Sequence, residues 1–214
     1  YLRAIGHDLG APIRHVRGFS RLLSDEIGPA LEAESSLLLQ QIQDSAELAE
    51  KMIYGLHDIA LLGSDFRLAQ VLSMAELTES ALAKLPASSL STQVIGDASA
   101  AVDPQLYEAL VHCLAQNTWE YACSANLTIY IEQPPSQADA VRVTFTDPGP
   151  GFEVKQWPQA LNPFNRLGAQ PTLKSLGLGL TKVAQIACLH EAALWCQRTQ
   201  AGCLQIGIQF HAMA

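Results

Sequence analysis

Three groups of residues have the types and spacing to do chemistry together. His7 and Asp8 adjoin in the run His7-Asp8-Leu9-Gly10-Ala11-Pro12. A carboxylate beside an imidazole can orient the ring, favour one tautomer and accept a proton while the other nitrogen attacks an electrophile. Far along the chain come Asp147-Pro148-Gly149-Pro150-Gly151 and Gly177-Leu178-Gly179-Leu180. Asp147 at a strand end can accept the exocyclic amine of adenine, and Gly149 and Gly151 let backbone pass close to a base. Gly177 and Gly179, opening a helix, let backbone N–H groups and the helix N-terminus face phosphate. Between the two glycine pairs, Arg166 and Lys174 are cations that could reach a phosphate from a flexible lid spanning Phe164 to Gly177. Singly, each group has an ordinary explanation: a surface histidine, a turn, solvated loop charges. Together they predict a nucleotide pocket that supplies phosphate to a histidine.

Two long helices must carry the first group. Leu2, Ile5, Leu9, Ile13, Val16, Phe19, Leu22 and Leu23 form a helical stripe over residues 1–27, punctuated by Gly28-Pro29. A second stripe runs from Leu37 through Ile42, Ala46, Met52 and Leu56 to Ile59. Pro12 removes the hydrogen bond to the Asp8 carbonyl and bends the first helix one turn beyond His7. An αα-hairpin of this kind exposes apolar surface. A second copy completing a dimeric four-helix bundle is favoured over packing on the chain's own C-terminal half.

The stripe fades at Leu62-Gly63-Ser64-Asp65, read as a linker that should be mobile near 62–66. Residues 1–63 and 66–214 are thus expected to be separate domains. In the second, helices are expected over 74–85, 104–122 and 175–189, the middle one opened by Asp103 as N-cap and Pro104 at its first position. Strands are expected over 126–133, 141–146, 193–198 and 204–210. Helices with mostly antiparallel strands predict an α/β sandwich, giving an α+β chain overall.

The 214 residues are 49% hydrophobic and 16% charged, a globular composition. The net charge of −8 opposes nucleic-acid binding, which needs a basic face. Five cysteines without Cys-x-x-Cys spacing predict reduced thiols in a cytoplasmic protein, with no zinc site. No run approaches the ~18 apolar residues of a membrane span. The chain opens as if mid-helix at Tyr1-Leu2-Arg3, which reads as a fragment of a longer protein, membrane-attached or carrying a soluble sensor.

His7-Asp8-Leu9-x-x-Pro12 resembles the H box of two-component sensor histidine kinases, and Phe19-Ser20-x-Leu22-Leu23 is similar to the phytochrome-like branch. Asp103-Pro104-x-Leu106 with Asn117 and Tyr121 resembles the N box, Asp147-x-Gly149-x-Gly151 the first glycine box, Pro163-Phe164-Asn165-Arg166-Leu167 the F box, and Gly177-Leu178-Gly179 the second glycine box. The resemblance covers nearly the whole chain and implies the ATP-binding fold shared with gyrase-type ATPases and related chaperones. It implies autophosphorylation of His7 from MgATP with Asp8 as acid/base partner, and transfer to an aspartate on a response-regulator receiver domain. It implies Asn117 as the Mg²⁺ ligand and a base and phosphate site formed by Tyr121, Asp147, Gly149, Gly151, Phe164, Arg166, Lys174, Gly177 and Gly179.

Departures from the pattern sharpen these expectations. Ala11 stands where bifunctional relatives carry Thr or Asn, predicting weak phosphatase activity. Cys113, Thr118 and Glu120 replace the usual Asn, Ala and basic residue of the N box, and Ser175-Leu176 the usual Gly-Thr. A carboxylate at 120 lies near the Asn117 face and would repel phosphate unless it points to solvent. The alternative to a working kinase is a degenerate one acting in phosphotransfer or dimerisation. An ATPase without kinase activity would need an acidic base near 113, where Cys113 stands.

Overall fold

The computed structural model describes residues 2–64, 66, 70–85, 90–121, 126–135, 137, 139–149, 151–167 and 175–212, with side chains from Leu9 onward. Helix α1, Leu2–Ile27, contains Pro12 and is followed by a single 3-10 turn at Gly28–Ala30. Helix α2, Ala33–Leu61, returns antiparallel to it. Their register is set by polar links across the seam. Arg17 pairs with the buried Glu50, Gln43 Nε2 donates to the Ser20 carbonyl at 3.1 Å, and Arg14 donates to the Tyr54 hydroxyl at 3.2 Å. Leu39 and Ala46 are buried in the hairpin, but Phe19 and Leu22 remain 69% and 63% exposed, with Val16, Leu37 and Ile42 also open. The sequence stripe is thus only partly covered within one chain.

After α2 the chain enters a two-layer unit. Strand β1, Gln70–Ser73, leads into α3, Met74–Ala83, where the Ser73 side chain caps the helix by accepting from Glu76 N–H. Strands β2, Ser91–Ile95, and β3, Ser99–Val102, precede α4, Pro104–Tyr121. Asp103 caps α4, accepting from Gln105 and Leu106 N–H at 2.9 and 3.1 Å, as its sequence position predicts. Next come β4, Asn126–Glu132, β5, Ala140–Asp147, and a short α5, Trp157–Ala160. Helix α6, Gly179–Leu189, is followed by β6, Ala193–Arg198, and β7, Leu204–His211.

The main sheet has order β2-β4-β5-β7-β6, with β2 and β4 parallel and the other neighbours antiparallel. Strands β1 and β3 form a separate antiparallel ribbon. Alternation along β4 and β5 sends Ile129, Ile131, Val143 and Phe145 inward, where they meet Tyr107, Leu110 and Leu114 of α4 and Val183 and Ile186 of α6. The α/β sandwich expected from the pattern is the observed architecture. The last helix starts four residues later than expected. Residues 175–178 are non-helical because Gly177 takes φ +72°, a left-handed value glycine adopts without steric cost.

The junction expected to be a mobile linker carries specific contacts. Leu62 packs on the main core. A Cβ on Gly63 would lie 2.9 Å from Leu189 Cδ2, so the backbone there runs close against α6. Phe66 meets His190 edge-on at 5.5 Å. His190 Nε2 accepts the Asp103 N–H at 3.0 Å, so its Nδ1 donates to the Ile186 carbonyl at 2.8 Å. One imidazole thus joins the junction to the start of α4 and the end of α6.

Candidate functional site

A cavity of about 890 Å³ lies between α4, the end of β5, the start of α6 and residues of 151–167 and 175–177, within the usual range for small-molecule sites. Asn117, Tyr121, Asp147, Gly151, Arg166, Gly177 and Gly179 all line it. Residues more than sixty positions apart in the chain therefore converge on one cavity. Gly149 and Phe164 do not line the cavity but shape it. Gly149 N–H donates to Asp147 Oδ1 at 2.5 Å, and Phe164 N–H donates to the Gly177 carbonyl at 3.0 Å. Lys174 lies outside the described residues.

One end is built around Asp147. The carboxyl is half-buried, and burial pushes its proton affinity up, opposed by hydrogen bonds from Gly149 N–H and the Thr118 hydroxyl. Gly151 has φ +53°, and a Cβ there would press on Leu204 at 3.0 Å. Phe152 stacks on Trp157 with centroids 6.1 Å apart. The Arg198 guanidinium ties two loops together, donating to the Phe152 carbonyl at 3.1 Å and the Gly202 carbonyl at 2.6 Å. Phe145, Leu204 and Ile206 supply an apolar floor.

The other end gathers the polar groups of α4 and the second glycine pair. Arg166 donates to the Tyr121 hydroxyl at 3.3–3.4 Å, and that hydroxyl lies 3.1 Å from Ser175 Oγ. Gly177 fits because a Cβ would meet Arg166 Cγ at 2.8 Å and the Asn165 carbonyl at 3.1 Å. Phe164 and Leu167 hold φ of 63° and 49° nearby, sterically costly for residues with side chains. Gly179 opens α6 beside Asn117, and the first N–H groups of that helix have no partners within it. Glu120 is exposed yet lines the cavity rim, where Gln116 donates to its Oε1 at 2.8 Å. Cys113 is also in the lining. Burial raises its thiol pKa, with Lys182 acting in the opposite sense.

His7 and Asp8 lie within α1, and their side chains are outside the described residues. Their backbone level is fixed by the hairpin register. Arg14 meets Tyr54, so His7 sits seven residues, or about 10 Å of helix axis, from that level. The glycine segment touches α2 beside Tyr54, at Gly55.

Thr118, Glu153, Gln156, Ser175 and Arg198 also line the cavity without being expected as site residues. Thr118 and Ser175 stand inside recognisable segments and are legible as departures from the pattern. Arg198 carries no local signal, because its role depends on two carbonyl groups from other loops.

Comparison with known proteins gives consistent relatives. Residues 102–212 match the family described as histidine kinase-, DNA gyrase B-, and HSP90-like ATPase. The sensor histidine kinase CssS of Bacillus subtilis (strain 168) is 26% identical over 210 residues, covering 94% of this chain and 44% of that protein. The chain therefore spans under half the length of that relative. The histidine kinase AdeS of Acinetobacter baumannii aligns with TM-score 0.62 at 18% identity, covering 97% of this chain and 98% of that one. Full-length ShkA in complex with AMPPNP aligns with TM-score 0.63 at 16% identity, covering 100% of this chain and 46% of that one.

Proposed function

The chain belongs to the histidine kinase-, DNA gyrase B-, and HSP90-like ATPase family as a histidine kinase catalytic core, and from that premise we propose that it phosphorylates its own His7 from MgATP. The observation that carries this reading is the convergence of Asp147, Asn117 and both glycine segments on one cavity. Residues 1–63 act as the dimerisation and phosphoacceptor domain and residues 66–214 as the nucleotide domain. Asp147 accepts the adenine amine. Arg166 and the N–H groups opening α6 face the phosphates, a role the sequence order also offers to Lys174.

Asn117 suits Mg²⁺. Its amide is a hard oxygen donor, and Gly179 keeps the space beside Oδ1 free, since a Cβ would stand 3.3 Å away. Among the described residues no group of three or more acidic, histidine or cysteine side chains could hold a metal alone. An ion there would be held by the Asn117 amide together with the nucleotide's own phosphates and would neutralise developing charge.

In the transfer, a His7 ring nitrogen forms the new N–P bond as the bond from the γ-phosphorus to the bridging oxygen breaks. ADP leaves with that electron pair, and Asp8 receives the proton from the other ring nitrogen. Phosphohistidine then passes its phosphoryl group to an aspartate of a response-regulator receiver domain. The exposed Val16, Phe19, Leu22, Leu37 and Ile42 support pairing of two hairpins into a four-helix bundle. None of the described helices is long and apolar enough to cross a membrane, and we assign the reaction to the cytoplasm, where ATP is available.

The test is incubation with MgATP, scoring acid-labile phosphate on wild type and His7→Gln. Label on wild type alone supports the reading. Label that persists in His7→Gln refutes the acceptor, and its absence from both, with no nucleotide binding by calorimetry, refutes the kinase.

A further inference from the structure

We propose that Ser175 is a positioning residue for the phosphate end of the cavity, its hydroxyl taking the Tyr121 proton so that the phenol oxygen faces Arg166. The proposal rests on the nucleotide reading of the cavity given above. Ser175-Leu176 stands where the usual pattern has Gly-Thr, and each of the two side chains has its own neighbour. Leu176 turns toward α2, its Cδ1 3.5 Å from where a Cβ on Gly55 would stand. Ser175 Oγ lies 3.1 Å from the Tyr121 hydroxyl.

The direction of that bond follows from the third partner. An arginine side chain only donates, and Arg166 Nε and Nη2 reach the Tyr121 oxygen at 3.4 and 3.3 Å. The phenol oxygen is therefore the acceptor on that side, and its single proton is left for Ser175 Oγ. Donation from a cation polarises the phenol and strengthens its own donation. Three segments thus meet at one hydroxyl: the end of α4, Arg166, and the entry to the second glycine segment two residues before Gly177. Tyr121 stands four residues after Asn117, so both share one face of α4, and both line the cavity with Arg166 and Ser175. A glycine at 175 would supply no side-chain acceptor, and the proton of Tyr121, which is 47% exposed, would turn to solvent. With Ser175 in place, Arg166 is held beside the phosphate site before nucleotide arrives, which lowers the ordering cost of binding.

The experiment measures binding of ATP and of adenosine, which has no phosphate, by calorimetry. It uses wild type, Ser175→Ala, Ser175→Thr, Tyr121→Phe and the variant combining Ser175→Ala with Tyr121→Phe. Ser175→Ala should weaken ATP binding about fivefold, the scale of one neutral hydrogen bond, and leave adenosine within about twofold. Ser175→Thr keeps the hydroxyl and should bind ATP within about twofold of wild type. In the Tyr121→Phe background, Ser175→Ala should cost nothing further, because the donor it serves is gone.

An equal loss for ATP and adenosine in Ser175→Ala would make Ser175 a packing residue and overturn the proposal. So would a loss that persists undiminished in the Tyr121→Phe background, or ATP affinity unchanged by Ser175→Ala. Wild type that binds no ATP would overturn the nucleotide reading and the proposal together, whereas the other outcomes overturn the proposal alone.

Discussion

Gly55 on α2 faces Leu178, the residue between the two glycines of the Gly177-Leu178-Gly179 segment. A methyl group at Gly55 would overlap Leu178 Cδ1 and stand 3.5 Å from Leu176 Cδ1. The hairpin thus carries a notch, at the level of Tyr54, that receives the loop bordering the nucleotide cavity. Gly55→Leu should fill the notch and detach that loop. Amide hydrogen exchange over residues 175–180 should then rise severalfold, as local openings become less costly. Unchanged exchange would show that the notch does not hold the loop.

Asp147 predicts a specific pH dependence. Burial raises its pKa in the ligand-free protein, while a bound amine needs the ionised carboxylate. ATP affinity should therefore fall as pH drops, starting above the range of an ordinary aspartate, because protonation replaces the acceptor with a donor. Calorimetric titration of ATP between pH 5 and 8 checks this. In Asp147→Asn the affinity should be about tenfold or more weaker at pH 7.5 and lose this pH-dependent step.

Glu120 sits at the rim of the cavity, held by Gln116. Being exposed, it should repel phosphate weakly through solvent. Glu120→Lys is expected to tighten ATP binding by about two- to fivefold at low salt, with the gain shrinking as ionic strength rises. Titration at two salt concentrations measures it. No gain at low salt would remove charge reversal at 120 as a reason for weakened turnover.

Gly177 is required by its surroundings. Gly177→Ala would combine a left-handed backbone with contacts at 2.8 Å to Arg166 Cγ and 3.1 Å to the Asn165 carbonyl. A cost of about 1–2 kcal/mol follows from the backbone alone. ATP affinity should drop severalfold while the main core stays folded, measured by calorimetry and thermal melting.

The buried hydroxyls of Thr78 and Tyr107 make an asymmetric pair 2.7 Å apart. Thr78 donates to the Met74 carbonyl at 2.6 Å, so its oxygen accepts from Tyr107. Removing the acceptor strands a fully buried phenol. Thr78→Val should thus cost about 1–3 kcal/mol, more than Tyr107→Phe, which leaves Thr78 its backbone partner. Chemical denaturation of both variants would show the order.

Much of this protein was legible in its residue order. The 3.6-residue stripes on α1 and α2, the Asp103-Pro104 start of α4 and the glycine pairs are local signals. Helix periodicity, capping and positive φ are decided within a few residues. They suffice for the α+β architecture and for marking Asp147 and the glycine pairs as candidates, whereas Asn117 and Tyr121 are placed by resemblance to the N box. Other features have no local signature. Strands β1, β2 and β3 are short or exposed, and they exist because of partners elsewhere. Arg198 joins the site only through the carbonyls of Phe152 and Gly202. The seating of Leu178 against Gly55, and of Phe66 on His190 at a junction expected to be mobile, needs surfaces separated by more than a hundred residues. The sequence determined which groups were available and the local shapes that present them. The tertiary structure decided which meet, because packing and hydrogen bonding between distant segments depend on the whole fold.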